Sequence, residues 1–439
     1  MVFRVEGSTG GRVPAATAII THTDDHHHPD SCMSSMMRPH HPNLSQPPLL
    51  AMASLGWILG VALAMMALPA DTLTVEAWAE IAGGSGNGSL IERQADIFLA
   101  GGRGSWGTTY ACFRVPTAVR AADGALVVLT ESRIGSCGDQ APKDVTARRS
   151  TDGGRTWSAL QLVVGPRAHG PSKDAEHPDF SARNPYATVL DSGVIVVDWV
   201  NSTDPLHCVN WQTSSLDHGV TWGPSVRKDF GRWEGVLMGP GAGIVLGRHA
   251  KHSPHPGRLV VCGATGYVGG MPMTLPIWTS DNNGASYMEA GGAAPFSGLQ
   301  ECQLVELSDG RVMVNARTAH LNKSCDCRAY AVSSDGGSTW APHQFAPALV
   351  EPTCSAGLIN FNDTLFFSNP AEAAARTHMT VKRSADNGAS WAIHSLVYAG
   401  PSAYSVMVPI DSASVGVVYE RGYRGPYENI TLAVLQAMP

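Results

Sequence analysis

Apolar positions in this chain fall into two patterns. One is a single unbroken run, Leu49 to Ala70, inside a stretch from Pro42 to Ala70 that carries no charged side chain. Such a run is long enough to cross a bilayer as a helix. The other pattern fills the rest of the chain with short apolar runs entered through glycine turns: Gly124-Ala-Leu-Val-Val-Leu, Gly193-Val-Ile-Val-Val, Gly257-Arg-Leu-Val-Val and Gly310-Arg-Val-Met-Val. Runs this short, bounded by turn residues and rich in Val and Leu, predict buried β-strands rather than helices. Ile430-Thr-Leu-Ala-Val-Leu predicts one more strand near the C-terminus.

Between the apolar runs an octad recurs, with Ser, Asp, Gly, Ser or Thr, and an aromatic at fixed offsets. The copies are Ser150-Thr-Asp152-Gly-Gly154-Arg-Thr156-Trp157, then Ser215 to Trp222, Ser280 to Tyr287, Ser333 to Trp340 and Ser384 to Trp391. The third is degenerate, with Asn282 for Asp and Tyr287 for Trp. Its chemistry is that of a hairpin turn: Asp accepts backbone N–H bonds, Gly supplies positive φ, and the aromatic packs beneath. The octads start at 150, 215, 280, 333 and 384, so neighbours lie 51 to 65 residues apart, the length of one four-stranded propeller blade with loops. Five octads and a closing segment from about Ala403 predict an all-β, six-bladed β-propeller within residues 73–439, whose loops converge on a central pocket.

Composition agrees with many short strands: 44% hydrophobic residues, with Gly 47 and Pro 29. The formal net charge of -7, with no Lys/Arg run, excludes nucleic acid as an expected partner. No Rossmann fingerprint, P-loop, HExxH or GxSxG is present, so nucleotide, zinc-peptidase and serine-hydrolase chemistry have no motif here. Arg4, Arg12 and Arg38 precede the long apolar run and Asp71, Glu76 and Glu80 follow it. That asymmetry puts the bulk of the chain on the luminal or extracellular side. The run itself reads as a signal anchor, as a signal peptide if translation starts at a methionine such as Met36, or as a buried helix. Residues 1–48 form a His-rich tail, 49–70 the apolar segment, and residues 1–72 are set apart from the fold. Sequons at Asn87, Asn201, Asn322, Asn362 and Asn429 fit a secretory route. Beyond Cys32, eight cysteines (Cys112, Cys137, Cys208, Cys262, Cys302, Cys325, Cys327 and Cys354) make an even set able to pair in an oxidising compartment. Cys325-Asp-Cys327 has no second Cys/His pair, so it reads as loop thiols or a disulfide and no metal is expected.

Phe113-Arg114-Val115-Pro116, followed by the octads, resembles the FRIP segment and Asp-boxes of the exo-α-sialidase family, over about Ile97 to Leu435. The resemblance implies that Arg114, with Arg317 in Val314-Asn-Ala-Arg317 and Arg376 after Ser368-Asn-Pro-Ala, clamps a sialic acid carboxylate; Lys382 and Arg383 stand near Arg376. Planar guanidinium forks suit a carboxylate, and each charge-assisted bond contributes roughly 1.5–3 kcal/mol. Glu301, in Leu299-Gln-Glu-Cys-Gln, resembles the family's base, and Tyr404, in Pro401-Ser-Ala-Tyr-Ser, its nucleophile. A phenol is neutral until deprotonated, so it approaches an anomeric carbon that already bears a carboxylate without repulsion. Asp139 matches the family's acid/base, with Asp144 as competitor; Arg133 adds a pocket contact or pairs with Glu131; Glu420 resembles the residue that holds the first arginine. Departures are Val115 for Ile, the degenerate third octad, and Ser405-Val-Met after Tyr404. The implied substrate is a sialylated glycan, hydrolysed without cofactor. The alternatives are a trans-sialidase, a hydrolase of a related nonulosonic acid, and a non-catalytic glycan-binding propeller.

Overall fold

The computed structural model describes residues 90–165, 181–204, 207–233, 235–250, 252–265, 273–318 and 325–438. The His-rich tail and the apolar segment 49–70 lie outside the described residues, and among those that are described no helix is long and apolar enough to cross a membrane. The fold is all-β. Each glycine-entered apolar run is an interior strand paired on both sides within its sheet: Leu126–Arg133, Ile195–Asp204, Leu259–Ala264 and Val312–Arg317. The glycines that open these runs, Gly124, Gly193, Gly257 and Gly310, take φ between 83 and 86°, a conformation that costs glycine little.

The first sheet holds Cys112–Arg120, Leu126–Arg133, Lys143–Ser150 and Gln161–Val164 in chain order. The second is built on Ala182–Val189, Ile195–Asp204 and His207–Ser215, the third on Leu259–Ala264 and Ile277–Ser280, and the fourth on Gln300–Glu306, Val312–Arg317, Cys327–Ser333 and Gln344–Val350. The last sheet has seven strands. Its 18-residue strand Ala392–Pro409 pairs through its first half with Thr377–Ser384 and through its second half with Ser414–Arg421. A fifth unit (Gly357–Phe361, Thr364–Pro370, Thr377–Ser384) and a sixth (Ser414–Arg421, Asn429–Gln436) thus share one long strand. The sixth is completed by Ile91–Leu99, antiparallel to the C-terminal strand Asn429–Gln436.

Hydrophobic burial joins each unit to the next. Leu129 and Val145 of the first unit pack with Ile195 and Val197 of the second; Val196 of the second packs with Leu259 and Trp278 of the third; Val260 of the third packs with Leu304 and Val314 of the fourth. Met313 of the fourth unit meets Leu358 and Leu365 of the fifth, and Phe366 and Met379 of the fifth meet Val417 and Tyr419 of the sixth. The series returns to its start, because Val418 and Leu432 of the sixth unit pack with Phe113 and Leu126 of the first. A sheet buried on both faces in this way reads as near-continuous apolar runs, as the sequence does.

The octads are the turns that brace these joints. In the first, Asp152 accepts from the Thr156 amide at 2.9 Å and its hydroxyl at 2.5 Å, and the Gly154 amide donates to Ser150 Oγ at 2.8 Å. The degenerate third copy keeps the geometry: Asn282 accepts from the Ser286 amide at 3.0 Å and donates to Ser286 Oγ at 2.8 Å. A Cβ on Gly154 would meet Leu432 of the sixth unit at 2.3 Å, and one on Gly219 would meet Val127 of the first at 2.7 Å. The second octad glycine is thus fixed by close approach to the preceding unit as well as by its positive φ. Disulfides join Cys112 to Cys137, Cys262 to Cys302 and Cys325 to Cys327. Complete pairing of the eight cysteines is not found: Cys354 is a buried free thiol, packed with Val115, Ala403 and Tyr404.

Candidate active site

Arg114, Arg133, Asp139, Glu301, Arg317 and Tyr404 line one pocket, together with Glu131, Lys143, Arg183 and Asn184. Most come from strands of different units, while Asp139 comes from the loop between Leu126–Arg133 and Lys143–Ser150. Arg114 sits on Cys112–Arg120 at a bulge, where the register against the next strand jumps between Arg114 and Thr117. The following residue, Val115, is β-branched yet has φ 54°, a strained state that persists only where its surroundings impose it. Glu420 imposes it here. One oxygen, Oε1, accepts from Arg114 Nε and from the Val115 amide, both at 2.8 Å, while Oε2 accepts from the Tyr404 amide at 3.2 Å. Glu420 is fully buried, so one carboxylate fixes both the first arginine and the backbone of the tyrosine.

Tyr404 donates its hydroxyl to Glu301 Oε1 in a short hydrogen bond, and Arg317 Nη1 reaches Glu301 Oε2 at 2.8 Å and the Tyr404 oxygen at 3.2 Å. Burial and the Glu301 charge push the Tyr404 phenol well above its ordinary pKa, against the lowering effect of Arg317 and Arg376. The resting tyrosine is therefore a neutral phenol already aimed at a carboxylate that can take its proton. Arg376 stands just before the strand Thr377–Ser384; its Nη1 donates to the Tyr427 hydroxyl at 3.0 Å and its Nη2 to the Thr353 carbonyl at 2.9 Å. The guanidinium lies over the Tyr404 ring at 5.5 Å, and Arg114 covers the Tyr427 ring at 3.7 Å. Arg376 reaches the site through these ring contacts and is not itself among the residues that line the pocket; of the nearby cations, Lys382 turns away to the Ala348 carbonyl.

Asp139 lies in the loop tied to the Arg114 strand by the Cys112–Cys137 disulfide. Arg133 Nη1 pairs with it at 2.8 Å and Arg114 Nη1 approaches to 3.9 Å. Its side chain keeps 29% exposure, against 10% for Glu301 and none for Glu420, which leaves it the carboxylate able to meet an incoming group. Asp144 instead accepts from the Tyr110 hydroxyl at 2.6 Å and does not line the pocket. Arg133 lines the pocket and also binds Glu131 Oε2 through Nε at 3.1 Å and Nη2 at 2.8 Å.

Sequence reasoning missed five contributors. Lys143 donates to the Asp139 carbonyl at 2.7 Å, and burial pushes its ammonium down to about 8 despite nearby Glu131. Tyr427 bridges Arg114 and Arg376 from a loop with no motif. Arg328 and Glu351, both fully buried, pair at 3.0 Å behind the site; Arg328 also donates to the Cys354 carbonyl and Glu351 holds the Thr318 amide next to Arg317. Arg183 lines the pocket from the second unit. Of these only Arg183 carried a local signal, because Arg183-Asn-Pro repeats the Arg-x-Pro pattern of Arg114-Val-Pro.

The BNR repeat-like domain profile matches residues 124–417, two thirds of the chain. The chain belongs to the BNR-repeat sialidase family. Among curated relatives, a sialidase of Micromonospora viridifaciens is 29% identical over 373 residues, covering 79% of this chain and 55% of that protein. A sialidase of Bacteroides fragilis is 27% identical over 348 residues, covering 71% and 60%. The chain thus spans little more than half the length of these relatives. Among solved structures, the Hadza microbial sialidase Hz136 matches with a TM-score of 0.63 at 26% identity, over 75% of this chain and 66% of that one. A leech intramolecular trans-sialidase has a TM-score of 0.61 at 15% identity, over 78% and 70%, and shares the fold.

Proposed function

We propose that this chain is a retaining exo-α-sialidase that releases terminal sialic acid from glycans on a six-bladed β-propeller. The observation that carries the reading is the contact between the Tyr404 hydroxyl and Glu301, with Arg317 touching both. Six successive packing joints, the last returning to the first unit, support the blade count, with the shared strand Ala392–Pro409 divided between the fifth and sixth blades. Arg114, Arg317 and Arg376 bind the substrate carboxylate. Asp139 protonates the leaving oxygen as Tyr404, losing its proton to Glu301, attacks the anomeric carbon. Asp139 then takes a proton from a water that attacks C2 on the face the aglycone left, opposite the tyrosine, while Glu301 returns its proton to the departing Tyr404 oxygen, so two inversions retain configuration. The neutral resting phenol avoids charge repulsion with the bound carboxylate, and the arginines hold the ring for attack. No step calls for a metal or an organic cofactor.

A glycan-binding module needs the arginines but has no use for a tyrosine placed on a buried glutamate, so the contact favours catalysis. The test is release of fluorophore from 4-methylumbelliferyl N-acetylneuraminic acid by the full chain beside Tyr404→Phe. Turnover by the parent and a kcat lower by on the order of 10³-fold in the variant is expected. A folded parent that binds sialic acid without turning over the glycoside overturns the reading.

A further inference from the structure

Two bends in the chain are built alike. In the first blade Arg114-Val115-Pro116 interrupts its strand: the register jumps between Arg114 and Thr117, Val115 has φ 54°, and its amide donates to Glu420 at 2.8 Å. In the second blade Arg183-Asn184-Pro185 does the same: the register jumps between Arg183 and Tyr186, Asn184 has φ 49°, and its amide donates to Glu131 Oε1 at 2.9 Å. Glu420 and Glu131 are themselves equivalent, each on the second strand of the preceding blade. The repeat therefore delivers both arginines to the central pocket, which both line.

The arginines differ in what they meet. Arg114 Nε is bound by Glu420. For Arg183 the matching contact is not made: Glu131 Oε1 accepts the Asn184 amide but no Arg183 donor, and Oε2 binds Arg133. Arg183 keeps one hydrogen bond, from Nη2 to Gln140 Oε1 at 3.2 Å, while Nε and Nη1 are buried without a partner although the residue is only 4% exposed. The charges around it are Glu131, Arg133, Asp139 and Lys143. A desolvated guanidinium with two unmet donors is unfavourable until something brings acceptor oxygens to it.

We propose that Arg183 is a substrate-binding residue that reads a hydrogen-bond-accepting oxygen on the C5 substituent of the sugar. The assignment rests on the sialidase reading. The residues that hold the carboxylate and attack C2 come from the first, fourth, fifth and sixth blades, so they gather on one side of the ring of blades. The second and third blades face them, and in a pyranose the carbon across the ring from C2 is C5. On that wall the third blade contributes Leu237 and Ala264, which have no polar side chain, and Arg183 supplies the free donors. An acceptor oxygen is offered there by a C5 hydroxyl, as in a deaminated nonulosonic acid, and by the carbonyl of a C5 acylamino group.

The test uses the full chain and the 4-methylumbelliferyl α-glycosides of three nonulosonic acids, bearing a hydroxyl, an N-acetyl group or hydrogen at C5. In Arg183→Leu, kcat/KM is expected to fall at least about tenfold, mostly through KM, on whichever oxygen-bearing glycoside the parent prefers, and less than about threefold on the 5-deoxy glycoside. The larger of the two oxygen-dependent losses identifies hydroxyl or acyl carbonyl as the ligand. Arg183→Lys keeps the charge without the fork and should give a smaller loss with the same dependence on C5. Equal losses on all three glycosides, or none, overturn the assignment while leaving the sialidase reading intact. A parent inactive on all three overturns that reading and the assignment with it.

Discussion

Glu420 and Glu131 occupy the same position on successive units and hold the same kind of bend, yet they do different work with it. Glu420 directs both oxygens to the neighbouring machinery: the Arg114 guanidinium, the Val115 amide and the Tyr404 amide. Glu131 gives one oxygen to the Asn184 amide and the other to Arg133 on its own strand. The comparison teaches that the repeat supplies a backbone device for presenting an arginine at the centre. The arginine is locked in place where the glutamate reaches its Nε, as Glu420 does for Arg114, and left with free donors where it does not, as with Glu131 and Arg183.

The largest way to break this comparison is Glu420→Gln. It leaves Arg114 without its carboxylate in a buried setting, so unfolding free energy should fall by roughly 3–5 kcal/mol. The kcat/KM for a sialoside should fall by on the order of 10²-fold or more, since the proposed clamp and the proposed nucleophile are loosened together. Denaturant melts and steady-state kinetics read both, and normal activity with Arg114 unpaired would remove Glu420 from the account.

Glu131→Gln is expected to act next most strongly, and through pH. Burial alone would raise the Glu131 pKa, but Arg133, Lys143 and the Asn184 amide outweigh it and hold the carboxyl at about 2 instead of 4.5. A depressed acid contributes stability that is fully present above the unfolded value and is lost as pH falls from about 4.5 toward 2, an effect of about 3 kcal/mol. The variant should therefore be less stable at neutral pH and show a flatter stability curve across that acid window. An unchanged acid arm would mean that Arg133 and Asn184 do not depend on this carboxylate.

The smallest effect sharpens the comparison at the bends themselves. Asn tolerates positive φ better than a β-branched residue, so Asn184→Val, which copies Val115 into the second blade, should cost about 1–2 kcal/mol in thermal unfolding. Val115 is accommodated because Cys354, Ala403 and Tyr404 pack against it. A neutral result would show that the bend itself, not the residue at its apex, sets the conformation.

Much of the fold was legible because its signals are local. The octads and the glycine-entered apolar runs are contiguous, and each encodes a turn or a buried strand without reference to the rest of the chain. The strand Ile91–Leu99 escaped because IERQADIFL opens on the polar cluster Glu92-Arg-Gln without strand-like alternation and gains its place only by pairing with residues more than three hundred positions away. The pocket arginines and carboxylates were legible as family motifs, whereas Tyr427, Arg328 and Glu351 sit in stretches whose only meaning is the three-dimensional contact they make. Arg183 lay between these cases. Its tripeptide repeats that of Arg114, but its unmet donors are visible only in three dimensions, where Glu131 reaches the Asn184 amide and Arg133 and not Arg183.

The central claim is that Tyr404 attacks the anomeric carbon, and trapping tests it most directly. The full chain incubated with a 2,3-difluoro sialic acid, which forms the glycosyl-enzyme but hydrolyses it slowly, should gain one sugar mass, located by peptide mass spectrometry on Tyr404. Label on Glu301 or Asp139, or steady turnover of a sialoside with no labelled tyrosine, would contradict the account.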